Sequence, residues 1–123
     1  MVIVAVFVGG VGISAALRGP SFVDHVRVDN RSGLSIDVDV AGASGDDWVA
    51  VGIARPHGQL DAQDVVDQGG RWIFRFRASG VDGGGVEITR DRLQASRWTI
   101  EIPQHVIDAL RRGGATDVTG ADL

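Results

Sequence analysis

The chain has 123 residues and a formal net charge of −4, carried by fourteen Asp and two Glu against twelve Arg, with no Lys and no Cys. That length holds one domain with short appendages, and the roughly 90 residues between about 22 and 113 suffice for a core of their own. The lack of Cys excludes disulfides, thiolate metal sites, a cysteine nucleophile and an acylated lipoprotein cysteine, and dispersed Arg on an acidic chain is not the basic stripe that charge-driven nucleic-acid binding needs.

The first seventeen residues, MVIVAVFVGGVGISAAL, carry no charge, and the first charged side chain is Arg18. As a helix they would span roughly 25 Å at about 1.5 Å per residue, the short limit for a hydrocarbon core about 30 Å thick. The leading expectation is a transmembrane anchor over residues 1–17. A signal segment is the second reading, with residues 2–8 as its apolar region and Ser14-Ala15-Ala16 suited to cleavage, but without the usual basic start. The third is a buried strand over residues 1–8, turned by Gly9-Gly10-Val11-Gly12; against it, residues 13–17 resume the apolar run. Gly12 and Ala16 have the small-xxx-small spacing that can pair spans. Residues 18–22 read as a linker, because Gly19 and Pro20 stop a helix.

From there the period becomes two. His25-Val26-Arg27-Val28-Asp29 alternates, Asn30-Arg31-Ser32-Gly33 supplies turn chemistry, and Leu34-Ser35-Ile36-Asp37-Val38-Asp39-Val40 has one aliphatic and one wet face, so the two runs read as a hairpin. A polar loop over residues 42–47 leads to a strand over residues 48–54 with Val49, Val51 and Ile53 on one side. Arg55-Pro56-His57-Gly58 turns the chain into a less regular strand over residues 60–66, and Gln68-Gly69-Gly70 turns it again. Arg71-Trp72-Ile73-Phe74-Arg75-Phe76-Arg77 is the next strand, residues 80–85 a glycine-rich loop, and residues 86–89 a short strand. One helical turn around Leu93 precedes a last strand over residues 98–102. A short helix opened by Pro103 then buries Val106, Ile107 and Leu110 and carries Arg111 and Arg112 at its negative end. Gly113-Gly114 ends it, and residues 114–123 read as a disordered tail.

The predicted fold class is therefore all-β: an antiparallel β-sandwich of about seven strands, Ig-like or fibronectin-III-like, with an N-terminal transmembrane helix and a short C-terminal helix. Residues 23–113 form the sandwich domain with its closing helix. The predicted inward set is Val26, Val28, Leu34, Ile36, Val38, Val40, Val49, Val51, Ile53, Trp72, Phe74, Phe76, Ile88, Trp98, Ile100 and Ile102.

The order of a short span, a linker and a strand ending in Asn30-Arg31-Ser32 adds to three further stretches. These are Val65-Val66-Asp67-Gln68-Gly69-Gly70-Arg71-Trp72-Ile73-Phe74-Arg75-Phe76, then Arg90-Asp91-Arg92-Leu93, then the run from Trp98 to Pro103. Together they resemble small uncharacterised single-span membrane proteins of actinobacteria that carry an Ig-like extracytoplasmic domain. An all-Arg chain rich in Ala, Gly, Val and Asp agrees with a GC-rich bacterial genome. The resemblance implies a single-pass protein of the cell membrane with its domain outside the cytoplasm, and supplies no catalytic or binding motif. Those relatives carry basic residues before the span, which this chain lacks.

Strand parity sets the rings of Trp72, Phe74 and Phe76 opposite Arg75 and Arg77, so the stretch reads as core plus wet face rather than a single-strand nucleic-acid platform. Gly80-Val81-Asp82-Gly83-Gly84-Gly85 lacks the Gly-Lys-Ser/Thr ending of a phosphate loop. His25, His57 and His105 have no second ligand at a metal spacing, and no Gly-x-Ser-x-Gly supports a hydrolase. The one residue against the pattern is Trp48, whose parity opposes Val49 and sends it outward or to a strand end, where it either caps one end of the core or anchors an interface. The expected function is a membrane-anchored, non-catalytic module, without cofactor, metal or nucleic-acid partner. Residues 1–17 hold it in the membrane, and it binds an envelope protein, with Trp48 as the candidate contact, or serves as an accessory subunit of an envelope complex. The alternative is a module for cell-wall glycan or calcium using Trp48 with Asp46, Asp47, Asp61, Asp64 and Asp67.

Overall fold

The computed structural model describes residues 21–118. The expected anchor over residues 1–17 and the last residues, 119–123, lie outside the described residues. Among those described, no helix is long and apolar enough to cross a membrane. In chain order the elements are β1 (Phe22–Asn30), β2 (Ile36–Ala41), β3 (Val49–Ala54), β4 (Gly58–Val66), β5 (Arg71–Ala78), β6 (Val81–Thr89), α1 (Arg90–Ala95), β7 (Thr99–Glu101) and α2 (Gln104–Arg112). They form two sheets, one of three strands in the order β4-β1-β7 and one of four in the order β3-β2-β5-β6. All pairings are antiparallel except β1 with β7, which run parallel.

The period-two pattern explains the layering. Val26 and Val28 of β1 face Ile36, Val38 and Val40 of β2 and Trp72, Phe74 and Phe76 of β5, all buried to within 1% of completely. Each such side chain contributes roughly 1.5–3 kcal/mol by leaving water. Leu93, from the single turn of α1, is also fully buried, and the Thr89 hydroxyl caps that turn by accepting from the Arg92 N–H.

With three strands over four, part of the larger sheet would stand uncovered. Helix α2 fills that place, burying Val106, Ile107 and Leu110 and packing chiefly on β6. Gly83 permits the approach, because a Cβ there would lie 2.7 Å from Leu110 Cγ and 3.1 Å from Val106 Cγ1.

Four expectations change. The predicted loop over residues 80–85 is the first half of β6: Ser79 (φ 52°) and Gly80 (φ 78°) make a two-residue turn, and the glycines that read as loop are strand. The predicted β1–β2 hairpin is instead a crossing between sheets. Its corner is tied by Asn30, whose Nδ2 donates to Leu34 O (2.7 Å), Ala54 O (3.1 Å) and Arg55 O (3.0 Å). The Asn30 Oδ1 in turn accepts from the Ser32 N–H and hydroxyl.

Ile53 was expected inside and is 54% exposed. The pairing of β3 with β2 slips between Val38 and Asp39, leaving Val51 unopposed. This extra residue reverses the parity beyond it, so Ala54 is buried in place of Ile53. Finally, residues 114–118 of the expected tail lie against the domain. Ala115 is buried, the Val118 N–H donates to Gly33 O at 2.9 Å and Arg111 pairs with Asp117 at 2.6 Å.

Candidate interaction surface

Because β5 sends its rings inward, Arg71, Ile73, Arg75 and Arg77 stand on the outer face of the four-stranded sheet. Antiparallel register aligns Arg77 with Asp37, Arg75 with Asp39 and Ile73 with Glu87. The result is a face of alternating charge, with Arg75–Asp39 and Arg71–Glu87 pairs both at 2.8 Å. Next to Asp37 across the sheet stands the exposed Ile53.

Trp48 joins this face. It immediately precedes β3 and is half-buried, and the Arg75 guanidinium lies 4.1 Å from its ring centre. Arg75 is thus held on one side by the indole and at its end by the Asp39 carboxylate, its side chain 29% exposed. Its Nε is out of solvent and makes no hydrogen bond. A cation over a ring contributes roughly 0.5–1 kcal/mol at exposed sites and more when desolvated. Sequence parity reached Trp48, but it had no means of finding Arg75 and Asp39 beside it, since those two residues stand on two other strands, β5 and β2.

The other candidates do not converge. His25 lies on β1, His57 in the β3–β4 turn at φ 55°, and His105 on the exposed side of α2. Among the described residues no three His, Asp or Glu side chains gather as metal ligands. Of the proposed calcium ligands, Asp61 pairs with Arg27 at 3.3 Å and Asp67 with Arg90 at 2.5 Å. Asp64 sits at a φ of 52° in β4, and Asp46 and Asp47 lie in the β2–β3 loop. An open hollow of about 430 Å³ is lined by Asp29, Arg31, His57 and Gln59. Asn30, formally part of an Asn-x-Ser sequon, is 1% exposed with its amide fully engaged. Attachment of a glycan to the folded domain is therefore blocked. Compared with known proteins, the chain matches no family model, no curated protein and no solved structure.

Proposed function

We propose that this is a membrane-tethered, non-catalytic binding module of a bacterial envelope, an Ig-like or fibronectin-III-like sandwich that docks another protein on the outer face of its four-stranded sheet. The observation that carries this reading is Trp48 held beside Arg75 on a sheet face that also exposes Ile53. Trp and Arg are the residue types that most often dominate binding energy at protein interfaces. Four strands over three, with sheet changes at β1–β2, β3–β4, β4–β5 and β6–β7, support the Ig-like assignment; the parallel β7 departs from it. Residues 1–17 are the tether in this reading, by their uninterrupted apolar run. The resemblance to single-span actinobacterial proteins agrees with it. Calcium is less favoured, because Asp61 and Asp67 are already paired with arginines.

The test is cross-linking of the full chain in native membranes, comparing wild type with Trp48→Ala. Loss of an interface anchor of about 2 kcal/mol or more would weaken a partner at least tenfold. Unchanged cross-links throughout would refute the surface. Intact mass of the chain from carbonate-washed membranes tests the tether separately, since a species lacking residues 1–17 and found in the medium would refute it.

A further inference from the structure

We infer that the free edge of β3 is a dimer interface, at which a second copy of this chain adds its own β3 antiparallel and joins two four-stranded sheets into one. The inference goes beyond the proposed binding surface and does not depend on the reading of residues 1–17.

Four sheet edges exist among the described residues, and three carry features that resist an added strand. Strand β7 is only three residues long. Strand β4 bears Asp61 and Asp64, the latter distorting it at φ 52°. Strand β6 carries Gly83-Gly84-Gly85, with no side chains to pack on an added strand. Strand β3 also carries a register shift and a glycine at φ 146°, but it is Val-Ala-Val-Gly-Ile-Ala, without charge or proline, and leaves Ile53 54% exposed.

The extra residue in β3 selects one register. Residues paired across an antiparallel two-fold must share a face. Val49 and Val51 pack against the core, and Gly52 faces Leu60 of the other sheet. Ala54 is buried, whereas Ala50 and Ile53 stand outward opposite Asp39 and Asp37. A two-fold between Val51 and Gly52 therefore pairs Val49 with Ala54, Ala50 with Ile53 and Val51 with Gly52 of the second copy. Every pair shares a face, and each sets a larger side chain against a smaller one. Sliding by one residue either way puts Ile53 against an inward valine, on the wrong face.

The two-fold sets the loop that precedes β3, with Asp46 and Asp47, beside the turn that follows β3 of the second copy, with Arg55. None of these three has an ion-pair partner among the described residues, so the acidic end of one strand lies by the basic end of the other. The two Trp48 surfaces would then share one side of a continuous sheet.

The chain has no cysteine, which makes the test direct. Full-length Ala50→Cys and Ile53→Cys chains, differently tagged, are co-expressed in the host and oxidised. Paired Cα atoms about 4.5–5.5 Å apart admit a disulfide, whereas identical positions roughly 10 Å apart along the strand do not. The expected result is at least tenfold more cross-linked dimer from the mixture than from either variant alone, abolished by adding Ile53→Lys to the Ala50→Cys chain. Pairing through residues 1–17 alone gives no such preference for the mixture. Equal or absent cross-linking overturns the proposal, including absence because residues 1–20 of the same chain occupy the edge. An adduct with a different protein also overturns it.

Discussion

Replacing Asn30 with alanine removes the joint between the sheets. Its Nδ2 serves three carbonyls, of which Leu34 O and Ala54 O are buried. An unpartnered buried acceptor costs roughly 1–3 kcal/mol, so two of them, with Ser32 released as well, amount to about 3 kcal/mol. For a domain of this size that corresponds to a fall in Tm of roughly 12–24 °C. Asn30→Asp is the sharper variant. It keeps the acceptor for Ser32 but turns a donor into an oxygen facing carbonyl oxygens, so the loss at neutral pH is at least as large. A carboxyl in that setting holds its proton more tightly folded than unfolded, so the loss shrinks as pH falls from neutral toward about 4, the unfolded Asp value, and is smallest below it. Urea unfolding of the full chain, followed by the fluorescence of the buried Trp72 and the half-buried Trp98, measures both. Losses below about 1 kcal/mol for the two variants would refute the joint.

Gly83→Ala places a methyl 2.7 Å from Leu110 Cγ and is expected to cost about 1–3 kcal/mol by lifting α2 from β6; Gly70→Ala, which meets no neighbour and has no positive φ, gives the effect of a methyl without that clash in the same urea assay. Leu93→Ala empties a fully buried site and is expected to cost about 2–5 kcal/mol, with amide exchange accelerating first in α1 and the preceding end of β6. Trp48→Ala removes the ring from Arg75 but no core contact, so its stability loss stays near 1 kcal/mol; a much larger loss would make Trp48 a structural residue rather than a recognition one.

Much of the layering was legible because period two is a local property. Once Val26, Ile36, Val38 and Phe74 are assigned to one side of their strands, the pleat puts Arg75 and Asp39 on the other, whatever the strands pair with. Leu93 and the face of α2 were readable for the same reason, from helical spacing. Trp48 was legible only as an exception to parity. Its companions were not, because the register that brings β5 and β2 beside it is a property of pairing, not of any one strand.

The sequence by itself thus determined which residues alternate, which runs are strand or helix, and that an uncharged stretch precedes the domain. Tertiary structure alone decided the rest. Glycines 83–85 look like loop because glycine favours open chain, yet α2 needs a bare backbone at Gly83 and β5 one at Gly85, and packing overrides propensity. Asn30 and Gly33 look like hairpin chemistry, but the Asn30 amide is bonded to the Leu34, Ala54 and Arg55 carbonyls and so ties a corner between the two sheets, contacts that no local pattern displays. Ile53 turned outward because Val51 has no partner opposite it, and whether a strand carries an extra residue depends on the strand beside it.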